Sequence, residues 1–231
     1  EIMACAQRLA VEPGPDYTDR FISCLRSDEN PLQARAAATV LANNQGLTPD
    51  DRVRVALLCN VDFETPAFAK DNAAAWLREL SGPLGERARA LLKAQGRDAW
   101  DGLAASWAGL AQANQAWLMD WGCGEYPDQA GALFLRALEQ GPDELRLAAL
   151  QAAARLPALP DGLRQAIKPF LTAVDAEFRL AAVRAMDRIN DARSMLSYEK
   201  DRRIQVALIP HLARKPGEEA ASALATLLES E

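Results

Sequence analysis

Residues 161–190, DGLRQAIKPFLTAVDAEFRLAAVRAMDRIN, read as two short helices folded back on each other. In the second, Phe178, Ala182, Ala185, Met186 and Ile189 fall at i, i+4, i+7, i+8 and i+11, one apolar face of a helix with 3.6 residues per turn. Arg184 and Arg188 lie off that face, so water or a partner should meet them. A shift of 33 residues upstream returns the pattern: Glu-Leu-Arg-Leu-Ala-Ala at 144–149 matches Glu-Phe-Arg-Leu-Ala-Ala at 177–182, Ala152 matches Ala185, and Arg155 matches Arg188. Preserving both the apolar face and the Arg position marks a repeated supersecondary unit. The first helix repeats as well, with Ala-Ile-Lys-Pro-Phe-Leu at 166–171 resembling Ala-Leu-Ile-Pro-His-Leu at 207–212. A proline in a helix interior costs roughly 3 kcal/mol. Its presence twice in one local context implies a kink built into the unit.

These features resemble HEAT repeats, whose first helix holds a proline, whose turn holds an Asp, and whose Ala-rich second helix opens with an Arg. Here the matching residues are Pro169, Asp175 and Arg179, with Pro210 in the next unit. The match is best over 142–231; the Asp-to-Arg interval is shorter than the family's, and the last unit, turning at Lys215-Pro216-Gly217, lacks the Asp and Arg. The resemblance implies an all-α fold, a right-handed α-solenoid of about six or seven antiparallel helix pairs. It implies that second helices line a concave face, which would bring Arg155, Arg184 and Arg188 to a ligand. By the same resemblance Asp175 and Arg179 tie one unit to the next. Asp71-Asn72-Ala73-Ala74-Ala75-Trp76 resembles the start of a tetratricopeptide repeat, though only in its Asp-Asn-Ala-x-x-Trp portion. The expected organisation is a diverged helical-repeat half, 1–141, continuous with HEAT-like repeats at 142–231.

Composition agrees with helices. Nearly half of the 231 residues are apolar, Ala is abundant, and β-branched runs are scarce. No stretch of about 18 uninterrupted apolar residues exists, so no transmembrane helix is expected. The formal charge of −6 is uneven: 1–141 holds 13 basic and 19 acidic residues, 142–231 holds 13 of each. Such a balance suits a polyanion poorly, so nucleic acid is not the expected partner, although a local Arg stripe remains open.

Along the chain, residues 1–11 form a possible helix ending at Pro13-Gly14-Pro15. Asn30-Pro31 and Thr48-Pro49-Asp50-Asp51 are helix starts, each pairing a capping side chain with Pro at the first helical position. Asp98 to Trp121 is a long apolar segment interrupted by Gly102 and Gly109, and Gly122 to Pro127 reads as a loop.

All five tryptophans lie between 76 and 121. Trp117 and Trp121, four apart, share a helix face, and Trp100 and Trp107, seven apart, share another. Core packing explains them; an aromatic anchor for a partner is the sharper reading of Trp117 and Trp121, since Trp is enriched at binding hot spots. His211 is the lone histidine and stands where the previous unit has Phe170. No GxSxG, GxGxxG or GxxxxGK[ST] pattern occurs, and the carboxylates sit mostly at helix starts. No catalytic set, cofactor site or metal site is expected.

The function these features imply is a non-catalytic scaffold or adaptor that binds a protein partner on an extended curved helical surface. An inhibitor or immunity-type protein that neutralises one enzyme is a rival, which the acidic first half would suit if the target is basic. HEAT-like enzymes, DNA glycosylases or bilin lyases, are a second rival; the acidic charge opposes the former. Cys5, Cys24, Cys59 and Cys123 show no CxxC spacing. Cys24 and Cys59 sit on nearby predicted helices and are the first candidates for a disulfide. Ile2-Met3-Ala4-Cys5 loosely resembles a lipoprotein cleavage box, so both a cytoplasmic and an exported, periplasmic chain are in view. Alkylation of the isolated protein without reductant separates them: reactive thiols point to a reducing compartment, two protected pairs to an exported protein.

Overall fold

The computed structural model describes residues 15–59, 64–69, 71–186, 189, 192–213, 221 and 225. The possible helix over 1–11, Cys5 and Arg188 lie outside them. The described residues form thirteen α-helices and two 3-10 turns, with no strand among them. The chain divides into two compact units, 1–114 and 115–231, so the repeat signature from 142 onward lies within the second.

The first unit contains α1 (Pro15–Arg26), α2 (Pro31–Leu41), α3 (Pro49–Leu58), α4 (Ala73–Leu80), α5 (Gly85–Gln95) and α6 (Arg97–Ala105). Its helix starts follow from side-chain capping. Asn30 accepts from the Gln33 amide and Thr48 from the Asp51 amide, each with Pro at the next position. Helices pack on their neighbours and on the next but one: α1 on α2 and α3, α3 on α4 and α5. Small residues permit this. Ala34, Ala37 and Ala38 of α2 are buried with Leu25, Leu41, Val55 and Leu58 in one apolar cluster.

Polar groups reinforce the same spacing. Arg54 of α3 donates from Nε to the carbonyl of Leu25, in the last turn of α1, at 2.7 Å. Arg87 of α5 donates to the carbonyl of Cys59, which ends α3, at 2.7 Å. The two arginines stand 33 residues apart, the interval of the repeat read near the other end of the chain. Arg54 also reaches Glu79 of α4 at 3.2 Å and pairs with Asp28. Burial pushes the Glu79 carboxyl above its ordinary value, with Arg54 opposing. Asp51, 1 % exposed, receives both oxygens' bonds from Arg26 at 2.8 Å and a third from Thr48 at 2.6 Å. Burial raises its pKa, but these hydrogen bonds and the Arg26 charge outweigh burial and hold it below the ordinary range.

The segment from 98 to 121 is broken elsewhere than the sequence suggested: Gly102 lies inside α6, and the breaks fall at Ser106 and at 110–111. After α6 comes a 3-10 turn, Trp107–Gly109, then α7 (Gln112–Glu125). Trp100 and Trp107 therefore do not share a helix face, although both are buried. Gly102 allows close approach: a Cβ there would stand 2.4 Å from the Phe68 ring. Conversely, Gly122 to Glu125, expected as a loop, continues α7. Burial of Leu118, Met119, Trp121 and Cys123 offsets the roughly 1 kcal/mol helical penalty of each glycine. Cys123 also donates to the Ala152 carbonyl at 3.3 Å.

The second unit continues with α8 (Pro127–Gln140), α9 (Asp143–Ala153), α10 (Asp161–Ile167) with a 3-10 turn Lys168–Thr172, α11 (Ala176–Ala185), α12 (Ala192–Tyr198) and α13 (Arg202–Ala213). Again the helices pack on the adjacent or next-but-one element: α8 on α9 and α10, α9 on α11, α11 on α13. The two prolines differ in setting. Pro169 opens the 3-10 turn, where its missing N–H leaves no gap, whereas Pro210 lies inside α13. α11 is shorter than the apolar spacing suggested. Met186 is extended, and its amide caps the helix on the Ala182 carbonyl at 3.0 Å, yet Met186 and Ile189 are both buried.

Arg179 holds this unit's polar centre. It donates to the carbonyls of Ala173 and Val174 and, from Nε and Nη2, to the two oxygens of Glu199 at 2.8 and 3.0 Å. Glu199 is buried and also accepts from the amides of Lys200 and Asp201. The Arg179 bond, with burial opposing and those amides assisting, keeps the Glu199 carboxyl below its ordinary 4.5. Removing one partner of a buried pair costs about 3–5 kcal/mol. Arg179→Ala should lose about that much in urea denaturation at pH 7. The native pair's contribution is present above pH 4.5 and lost as pH falls through the depressed native value, so the gap between variant and wild type should narrow in acid.

Candidate functional site

The face built by α9, α11 and α13 carries two hollows in a repeating register. Asp175 starts α11 by accepting from the Glu177 amide at 2.8 Å. One helical stripe of α11, Glu177, Leu180, Ala181 and Arg184, then lines a hollow of about 200 Å³ with Gln151 and Ala154. The corresponding stripe of α13, Arg203, Val206, Ala207 and Pro210, lines a hollow of about 370 Å³ with Arg184, Met186 and His211. Both stripes have the spacing i, i+3, i+4, i+7, and Arg184 belongs to both hollows. The first residues of the stripes are joined by Arg203 and Glu177 at 2.7 Å.

Arg203 is oriented by its acids. It also pairs with Asp201 at 2.8 Å, and the Asp201 hydrogen bond, followed by that of Glu177, raises its pKa above the ordinary value. Arg184 is exposed and has no ion pair or hydrogen bond among the described residues. His211 Nε2 lies 3.2 Å from the Val183 carbonyl in the last turn of α11, a geometry that needs the ring proton on Nε2. The larger hollow thus combines guanidinium charge with the apolar surface of Met186, Val206, Ala207 and Pro210. Val206 is 51 % exposed and adds apolar surface to the hollow. Among the described residues no cluster of three His, Cys, Asp or Glu is placed to hold a metal ion. The chemistry available is recognition of an anionic group beside an apolar one.

The residues singled out from sequence fall in different places. Arg184 lies on this face. Arg155 follows α9 and pairs with Asp120 at 2.5 Å, both side chains 55 % exposed. Arg188 is outside the described residues. Trp121 is only 2 % exposed and packs against Trp117 at a centroid distance of 5.4 Å with the rings tilted by 33°, and edge-on to Tyr126 at 6.0 Å. As a partner anchor it is corrected to a core residue, because its ring has almost no surface left to offer; Trp117 is half-buried. Cys24 and Cys59 belong to one apolar cluster but are separate free thiols, as is Cys123. The residues sequence reasoning passed over are Glu177, Arg203 and Val206. Their signal was the position of Val206 between the buried Ile204 and Leu208, which turns it outward.

No protein-family model matches this chain, and neither the search of curated proteins nor that of solved structures returned a match.

Two substitutions separate surface from core. Arg155→Ala should change unfolding free energy by no more than about 0.5 kcal/mol, because its partner is exposed. Trp121→Ala should cost about 3–5 kcal/mol by opening a cavity. Equilibrium denaturation followed by circular dichroism measures both.

Proposed function

We propose that this chain is a HEAT-like α-solenoid that acts as a non-catalytic protein-binding scaffold. Its binding surface is the face of α9, α11 and α13. The observation that carries the reading is the pair of adjoining hollows that share Arg184. A repeated register on successive helices gives an extended surface, and such surfaces serve recognition in repeat proteins. The solenoid reading is supported by the packing of several helices on their next-but-one neighbours, α1 on α3, α3 on α5, α8 on α10, α9 on α11 and α11 on α13. It is supported too by the 33-residue interval that recurs in Arg54 and Arg87 and in the 144–149 and 177–182 segments. The residues at the hollows are those of recognition: guanidinium, apolar and small side chains, with one carboxylate already bound to Arg203.

The test is site-specific photocrosslinking in the native cell after nuclease treatment. A photoreactive residue at Gln151 or Val206 should trap one protein partner, while the same group at Glu139, exposed on α8, should not. Equal trapping at all three positions, or none at Gln151 and Val206, removes this face as the binding surface. Trapping of a single enzyme whose activity is then lost favours the inhibitor reading over a general scaffold.

A further inference from the structure

We infer that the larger hollow receives an acidic side chain with an apolar neighbour, supplied by a linear segment of the partner protein. This rests on the proposed reading of the face as a protein-binding surface and names the chemistry it selects. Two cations, Arg184 and Arg203, line the hollow, and among the described residues lining it none is a carboxylate. Their roles differ. Arg203 is held by Glu177 and Asp201, so its charge is largely answered and its position is set. Arg184, exposed and without an ion-pair partner among the described residues, is the cation left to answer an incoming anion.

The rest of the lining decides which anion. Met186, Val206, Ala207 and Pro210 present apolar surface beside Arg184, and Val206 is half exposed. An aliphatic or aromatic side chain gains by covering that surface, whereas a phosphodiester backbone has no group to place there. Glu177 lines the smaller hollow and is already bound to Arg203, so the smaller hollow carries a carboxylate that repels an incoming acidic group. The complementary segment therefore carries Asp or Glu next to a large apolar residue.

The experiment selects random dodecapeptides displayed on phage against the whole protein. The winner is then fluorescein-labelled for anisotropy titration. Peptides with Asp or Glu adjacent to Leu, Ile, Phe or Trp should be enriched. Arg184→Glu should weaken the selected peptide about tenfold or more, since like charges then face each other. A peptide with Lys in place of that acid should regain binding to Arg184→Glu but not to wild type, a rescue that a merely structural role of Arg184 does not produce. Circular dichroism of Arg184→Glu and Arg184→Gln verifies folding, and Arg184→Gln should fall between the two.

Enrichment of basic peptides overturns the inference, as does acidic-peptide binding that Arg184→Glu leaves unchanged. Tighter, Arg184-dependent binding of a fluorescein-labelled dT20 oligonucleotide overturns it in favour of nucleic acid. If no peptide is selected while crosslinks at Gln151 and Val206 persist, this inference fails and the protein-binding face stands. If the crosslinks are absent as well, both fall.

Discussion

The last carbonyls of a helix have no amide partner within the helix, and when they are covered by a neighbouring helix something must donate to them. In this chain the donor comes repeatedly from the next-but-one helix. Arg54 of α3 serves the Leu25 carbonyl of α1, Arg87 of α5 serves that of Cys59 at the end of α3, and His211 of α13 stands over Val183 of α11. Each contact joins two elements 28 or 29 residues apart in sequence. A cationic or polar donor at a helix C-terminus also answers the negative end of the helix dipole. One bond thus satisfies a buried acceptor and sets the spacing of alternate helices.

Buried carboxylates extend the same arrangement. Asp51 and Glu199 are each held by two bonds from one guanidinium and by further donors of their own backbone or side-chain neighbourhood. Pairs like these add little net stability over well-packed apolar groups, but a half-pair is severely unfavourable, so they penalise any other register. Alanine-rich helix faces need that discipline. Rows such as Ala34, Ala37 and Ala38, or Ala181, Ala182 and Ala185, pack closely yet discriminate weakly between neighbouring registers. In the second unit the register so imposed leaves the stripes of α11 and α13 with the same spacing and the same apolar–Ala middle. The face with Arg184 at its centre is a by-product of that repetition.

Much of this was legible along the chain. The caps at Asn30 and Thr48 are local: side chain, proline and amide lie within four residues, and no tertiary context is required. The 33-residue echo of 144–149 in 177–182 identified two helices that do pack on each other, because both must present the same Ala face. Arg184 was assigned to the outside by periodicity alone. What failed was wherever distant burial outweighed local preference. Gly122 and Gly124 looked like loop residues but stay helical, because Trp121 and Cys123 are anchored in apolar surroundings. Trp100 and Trp107 looked like one face until a 3-10 turn separated them. Of the two readings of Trp121, core packing and an anchor for a partner, its ring follows the first, covered by Trp117, Tyr126 and the core.

By itself, then, the sequence determined that the chain is helical, where several helices begin, and that the similar segments 144–149 and 177–182 both form helices, since these depend on periodicity and on bonds within one or two turns. The tertiary structure decided which charges are buried and paired and which are left outside. Asp51, Glu79 and Glu199 are unremarkable carboxylates in the string; their partners Arg26, Arg54 and Arg179 stand 20 to 25 residues away. Arg184 and Arg179 are equally plain arginines. One is locked to a buried acid and the other left at the seam of two hollows, because the pairing of a charge depends on what packing brings within about 3 Å of it, and spacing along the chain does not encode that distance.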